Sequence, residues 1–261
     1  MEYIVIGIAA VIVSGLSLFS GFGLGTVLTP LFVIFFPIEI AVGMTALVHF
    51  SNGIFKLILM GKNADKATVL RFGIPAILSA FVGAYLLGLL SGMQPLTSYD
   101  LAGRHCTITT IKLVIAVIMS VFSVIELIPR LNNINIERKY LPIGGLLSGF
   151  FGGLSGNQGA LRSTFLLHAG LDKKAFVGTG VVIACIVDIT RISVYAYTIL
   201  VAKKTNPIEG HIPLLIVACL SAFIGAYVGK RLLKKVTIRT VQLIVAIMMF
   251  LIAIGLGSGL I

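Results

Sequence analysis

Ser79-Ala80-Phe81-Val82-Gly83-Ala84-Tyr85 returns as Ser221-Ala222-Phe223-Ile224-Gly225-Ala226-Tyr227, with six identities in seven. The sequence around both copies is almost entirely apolar, so the repeat reads as an internal duplication in a membrane protein, the pattern of many transport folds. A shift of 135 residues superposes Ser20-Gly21 on Ser155-Gly156, Val42-Gly43 on Val177-Gly178 and Lys56 on Arg191. Further along, Thr110-Ile111-Lys112-Leu113 falls on Thr240-Val241-Gln242-Leu243 at a shift of 130. The shift changes between matched segments, where loops absorb insertions and deletions. The chain therefore divides into two membrane repeats, residues 1–130 and 131–261, within a single transmembrane domain.

Composition sets the class. Hydrophobic residues make up 58% of the chain and charged residues 11%, with a mean hydropathy of +1.10, whereas about a quarter of a soluble domain is charged. Apolar runs at Tyr3 to Phe36, Ile40 to Met60, Phe72 to Leu90, Ile111 to Ile128, Leu141 to Leu171, Ala175 to Ala202, Ile212 to Gly229 and Val241 to Leu256 reach or approach the roughly 20 residues that span a bilayer. The expected class is all-α and integral to the membrane. Met1-Glu2-Tyr3 offers no positive n-region, so the first run reads as a membrane segment rather than a removable leader. The net charge of +11 reads as orientation charge between spans, not as a nucleic-acid surface. Cys106, Cys185 and Cys219 have no paired spacing, which argues against a disulfide framework or a metal site; Cys185 and Cys219 read as small apolar fillers. No cofactor is expected.

Two runs are too long. Tyr3 to Phe36 and Leu141 to Leu171 would extend about 45 to 50 Å as straight helix against a core of about 30 Å. Both are broken midway, by Gly21-Phe22-Gly23-Leu24-Gly25 and by Gly152-Gly153-Leu154-Ser155-Gly156-Asn157-Gln158-Gly159. Each either crosses once with an unwound middle or dips in and returns as a hairpin. With single crossings the loop cations divide eight against nine. With hairpins, Lys62, Lys66, Arg71, Arg130, Arg138, Lys139, Lys173, Lys174, Lys230, Arg231, Lys234, Lys235 and Arg239 share one side, against Arg104, Lys112, Lys203 and Lys204. Thirteen against four is the asymmetry that the positive-inside rule demands. Each repeat is then a broken, re-entrant helical hairpin plus three transmembrane helices. Three crossings are an odd number, so the second repeat is inverted and both termini face outward.

Irregular backbone inside a bilayer must be buried in protein or line a wet cavity. The two breaks therefore locate the expected site. Gly21, Gly23 and Gly25 allow a tight turn and close approach, and the following helix start presents free N–H groups. Gly156, Asn157, Gln158 and Gly159 do the same from the other repeat and add side-chain amides; close helix packing is the ordinary alternative for any one glycine. Lys56 and Arg191 are embedded cations for which snorkelling is the ordinary role. Asp188 stands three residues before Arg191, where an ion pair would neutralise both. His49, Asn52 and Lys56 form a polar stripe on one helical face, as a substrate pathway or as structural residues. Arg162, three residues after Gly159, either offers a planar fork to an oxyanion or braces the hairpin through carbonyls. Lys56, Arg162 and Arg191 against Asp188 leave a net positive midplane suited to anions. Glu126 and Arg130 read as an interfacial pair.

The glycine-rich break followed by Thr29-Pro30-Leu31, then Ala41-Val42-Gly43-Met44-Thr45 opening the next span, with a second glycine-rich copy, resembles the TauE/SafE family. The resemblance covers essentially the whole chain. It implies a duplicated bundle in the cytoplasmic (inner) membrane that exports sulfite, organosulfonates or related anions, and it marks Gly21, Gly23, Gly25 and Pro30 in the first copy and Gly153, Gly156 and Gly159 in the second. The second copy departs from the pattern, with Phe165 where the first has Pro30 and Gly180 where it has Thr45.

The expected function is a secondary transporter that exports a small sulfur-containing anion by alternating access, with substrate held between the two hairpin tips. A passive anion channel and a proton- or sodium-coupled importer are the alternatives. An enzyme is not expected: His49, His168 and Cys185 are the candidate catalytic groups, and no HExxH, GxSxG or paired-carboxylate pattern accompanies them. The expected partners are the anion and membrane lipid, with a homodimer left open and no nucleic acid.

Overall fold

The computed structural model describes residues 2–20, 24–101, 103–128, 136–201, 209–232 and 238–261. The described chain forms α1 (Glu2–Ser20), α2 (Leu24–Phe35), α3 (Ile38–Met60), α4 (Lys66–Ser91), β1 (Thr97–Leu101), β2 (Arg104–Ile108), α5 (Thr110–Leu127), α6 (Leu141–Ser155), α7 (Gly159–Leu167), α8 (Lys173–Val201), α9 (Ile212–Leu232) and α10 (Ile238–Gly257). Among the described residues three helical stretches, Ile38–Asn63, Lys66–Ser91 and Lys173–Thr198, are long and apolar enough to cross a membrane. The helical class holds. One element is new: β1 and β2 pair antiparallel, Thr97 opposite Ile108 through Leu101 opposite Arg104, in a stretch to which the sequence reading gave no structure. Gly103, at φ 77, supplies the left-handed turn residue.

The expected breaks fall where α1 gives way to α2 and α6 to α7. Gly21 and Gly23 lie outside the described residues. Between α6 and α7 the chain folds back: Ser148 Oγ donates to the Gln158 carbonyl at 3.0 Å, and a Cβ at Gly144 would fall 2.4 Å from the Phe165 ring. The start of α6 thus lies beside the end of α7.

α4 crosses α6, and α9 crosses α1. In α6, Gly145, Gly149 and Gly153 repeat every four residues on one face, and a Cβ at any of them would fall 2.2 Å from the carbonyl oxygen of Phe72, Ala76 or Ala80 respectively. Gly83 of α4 meets the Phe150 carbonyl just as closely. At the second crossing a Cβ at Gly225 would fall 2.1 Å from the Val11 carbonyl, and one at Gly7 would fall 3.3 Å from Ser221 Oγ. The duplicated heptad is therefore a helix-crossing surface. Ala80, Ala84, Ala222 and Ala226 are buried in the crossings, while Phe81, Val82, Tyr85, Ile224 and Tyr227 point outward. Small residues serve here because lipid gives helices no hydrophobic reason to associate, and close backbone packing must do it instead.

Contacts between connections define two ends of the bundle. At one end Asp65 caps α4 by accepting from the Thr68 amide at 2.8 Å, lies 3.6 Å from Arg138, and donates its own amide to Thr179 Oγ1 at 2.9 Å. Lys62, Arg138 and the start of α8 accordingly share that end. At the other end Tyr99 donates to the Ser258 carbonyl at 2.5 Å, and the rings of Phe36 and His211 stand 4.7 Å apart. Arg130, Lys203, Lys204, Lys234 and Lys235 lie outside the described residues, as does the Glu126–Arg130 pair read from the sequence.

We expect Gly149→Ala to destabilise the detergent-solubilised protein by about 1–3 kcal/mol through overpacking against Ala76. Gly73→Ala, whose Cβ would meet nothing closer than Val69 Cγ1 at 3.9 Å, should be neutral or stabilising. Thermal unfolding of the two variants checks this.

Candidate functional site

Gly25 opens α2, and a Cβ there would fall 2.8 Å from the Gly156 carbonyl oxygen. The start of α2 and the end of α6 therefore meet inside the protein. Gly156 closes α6 at φ 82, a conformation that only glycine adopts without strain, and a Cβ on it would press on Thr29 Oγ1 at 2.9 Å and Arg191 Nη1 at 3.2 Å. Thr45 lies against Gly25, its Cγ2 3.6 Å from the Cβ position. Pro30 sits within α2 and removes the N–H that would bond the carbonyl of Thr26.

Polar atoms at this junction are buried without hydrogen-bond partners: the hydroxyls of Thr26, Thr29 and Thr45, both amide atoms of Asn157, and Gln158 Oε1. Buried polar groups are ordinarily paired. A cluster of them where the start of α2 meets the α6–α7 tip marks the candidate site.

Beside the junction lie Asp188 and Arg191, both 0% exposed. Asp188 Oδ1 accepts from Arg191 Nε at 3.0 Å and from Gln158 Nε2 at 3.0 Å, and Arg191 Nη2 stands 2.8 Å away. His49 Nδ1 lies 2.5 Å from Oδ2. Arg191 Nη1 continues to the Gly152 carbonyl at 3.3 Å, and the Tyr195 hydroxyl donates to the Gly153 carbonyl. The i,i+3 ion pair read from the sequence is present. The snorkelling role for Arg191 is not, because its guanidinium turns inward to a carboxylate and a helix end.

The polar stripe on α3 meets more than one element. His49 reaches Asp188 of α8, and Asn52 accepts from Ser14 of α1 at 3.3 Å. Lys56 is 8% exposed, so it too is enclosed rather than snorkelling. Gly25, His49, Gly156, Asn157, Gln158, Gly159, Asp188 and Arg191 gather at or beside the junction, whereas Asn52 faces α1 and Lys56 with Arg162 lies farther along the bundle. Thr26, Thr29, Thr45 and Tyr195 were missed as site residues, although Thr29 and Thr45 belong to the motifs that carried the resemblance.

The sequence model of the family described as Sulfite exporter TauE/SafE matches residues 3–256. The chain belongs to that family. None of the curated proteins compared with the chain matches it. Membership makes this TauE/SafE protein a multi-pass membrane permease of a sulfite and sulfur-anion transport family, and that family is one of transporters, not enzymes. The motif Thr29-Pro30 and the Thr45 that follows it are also the segments that bring hydroxyls to the junction.

Removing one partner of a buried ion pair costs about 3–5 kcal/mol, because the other charge is left uncompensated. We expect Arg191→Met to lower thermal stability on that scale, and Asp188→Asn added to it to recover a large part of the loss. Unfolding midpoints of the single and double variants measure it.

Proposed function

We propose that the protein is a secondary transporter that exports a small sulfur-containing anion, sulfite or an organosulfonate, across the cytoplasmic membrane by alternating access. The observation that carries the reading is the meeting of the two chain breaks at Gly25 and Gly156, among buried, unpartnered polar atoms of Thr29, Thr45 and Asn157. The starts of α2 and α7 add N–H groups and the positive ends of helix dipoles, which favour an anion. Asp188, the carboxylate nearby, is offset by Arg191.

In this reading residues 1–130 and 131–261 are inverted repeats, each a re-entrant hairpin (α1–α2, α6–α7) followed by three crossings (α3–α5, α8–α10). The reciprocal crossings support it, since α4 of one half grips α6 of the other while α9 grips α1. The end holding Lys62, Arg138 and Lys173 is cytoplasmic under the positive-inside rule, and both termini face outward. Export of an anion from a negative-inside cell yields about 2.3 kcal/mol per charge per 100 mV, so it requires no coupling ion. Proton-coupled import has one observation in its favour, the His49–Asp188 contact, which could carry a proton across the centre of the fold.

Inside-out proteoliposomes with a positive lumen should take up labelled sulfite saturably. Thr29→Val with Thr45→Val should slow uptake about thirtyfold, at about 1 kcal/mol for each of two lost hydrogen bonds. Non-saturating flux would point to a channel, and dependence on a proton gradient to the importer. Separately, cysteines introduced at Lys62 and Lys173 should react with an impermeant thiol reagent from one and the same side; labelling from opposite faces would overturn the hairpin topology.

A further inference from the structure

Gly156, Asn157 and Gln158 form the tip between α6 and α7, and this tip sits against the start of α2. The Gly156 carbonyl accepts the Gln158 amide at 3.1 Å and lies 2.8 Å from the Cβ position of Gly25. Thr45 Cγ2 lies 3.6 Å from that same position, and Thr29 Oγ1 lies 2.9 Å from the Cβ position of Gly156. Asn157 is 2% exposed and Gln158 1%.

The Gln158 side chain has its amide orientation fixed by its partner. Asp188 Oδ1, which also accepts from Arg191 Nε at 3.0 Å, belongs to an ionised carboxylate, and such a group only accepts. The amide atom of Gln158 that stands 3.0 Å from it is therefore the nitrogen. Oε1 is turned away from Asp188, buried and without a hydrogen-bond partner. Both amide atoms of Asn157 are buried and unpartnered, so one of its two is an unmet oxygen whichever way that amide is turned. The hydroxyls of Thr26, Thr29 and Thr45 are unpartnered as well, so none of them satisfies either amide oxygen.

These groups are not equivalent toward an anion. A threonine hydroxyl or the Asn157 amide nitrogen can donate to an oxygen on sulfur, whereas the amide oxygens of Gln158 and Asn157 can only accept. The sulfite dianion and a plain alkanesulfonate also present oxygens that only accept, and beside them two buried acceptors stay unmet at a cost in affinity. An anion that brings an O–H or N–H of its own supplies what these oxygens lack. A site that hydrogen-bonds a substrate's hydroxyl or amino group discriminates steeply against the analogue without it.

We propose that Asn157 and Gln158 make the junction specific for sulfur anions that carry their own hydrogen-bond donor. Hydrogen sulfite is then favoured over the sulfite dianion, and hydroxy- or aminoalkanesulfonates over plain alkanesulfonates. The proposal rests on the transport reading above and narrows its substrate class.

The test is calorimetric binding to the full-length protein in detergent, at a single pH, with two matched pairs of monoanions and sulfite as the reference. Amidosulfonate and methanesulfonate differ by an amino group for a methyl on sulfur; hydroxyethanesulfonate and propanesulfonate differ by a hydroxyl for a methyl at the chain end. The donor-bearing member of a pair should bind about tenfold more tightly, the scale of one hydrogen bond. Preference in the first pair supports a donor on sulfur, as in hydrogen sulfite, and preference in the second supports a donor at the chain end. No preference in either pair, with sulfite bound, would overturn the donor requirement and leave the transport reading standing. Binding of none of these anions, sulfite included, would overturn both. Asn157→Leu should shrink the preference by weakening the donor-bearing anion more than its methyl counterpart, and equal weakening of the two would overturn the role of Asn157. The wild-type comparison needs no variant, so a misfolded substitution does not block the test.

Discussion

A carboxylate with no solvent exposure has to be compensated, and the interior of this protein is arranged around compensating Asp188. Arg191 on its own helix, Gln158 from the helix break and His49 from α3 all converge on it, which fixes α8, the α6–α7 tip and α3 relative to one another. The same compensation makes the break tenable. The last carbonyls of a helix lack the usual intrahelical donors; at the end of α6 the Gly152 oxygen takes the Gly156 amide at 3.1 Å and also Arg191 of α8, and the Gly153 oxygen takes the Tyr195 hydroxyl of α8. Without Tyr195 the Gly153 carbonyl would stand bare in an apolar interior at a cost of several kcal/mol. The charge pair thus holds open the place where α6 and α7 part.

The second constraint is closeness. The α6 glycines let α4 approach until backbone meets backbone, and that approach sets the height at which the break lies. The duplicated heptad was legible as a repeat because its small residues recur at fixed spacing, but its role as a crossing surface was not. Alternation of Ser79, Ala80, Gly83 and Ala84 with large apolar residues says that one face packs; it does not say against what, and the partner of each copy lies in the other half of the chain. The fold-back of residues 141–167 was legible through charge, since burying apolar helices leaves cations as the record of orientation. The β1–β2 hairpin was not legible, because hydropathy read at the scale of membrane spans carries no signal from two short strands.

The site was legible in its backbone and less so in its side chains. Glycines at two breaks announced irregular backbone, and Arg191 with Asp188 announced a pair through their spacing. Thr26, Thr29 and Thr45 went unnoticed for a physical reason: threonines in membrane helices commonly bond the carbonyl one turn back, as Thr190 and Thr198 do here. What sets the three apart is that their hydroxyls lack such a bond, a property of rotamer and neighbours rather than of sequence. The stripe of His49, Asn52 and Lys56 shows the converse limit. Helical periodicity placed them on one face, yet that face meets different elements along its length: Asp188 of α8 takes His49 and Ser14 of α1 takes Asn52.

The two crossings also constrain how such a molecule changes shape. α4 with α6, and α9 with α1, each join one helix from residues 1–130 to one from residues 131–261, through contacts in which carbonyl oxygens leave no room for a Cβ. Rocking the two halves as rigid bodies would shear both crossings at once, and a packed interior does not deform continuously. The junction itself is of another kind. Gly25 meets Gly156 closely, and around them Thr29, Thr45 and Asn157 hold unsatisfied groups beside the buried apolar side chains of Leu24, Leu28 and Leu154.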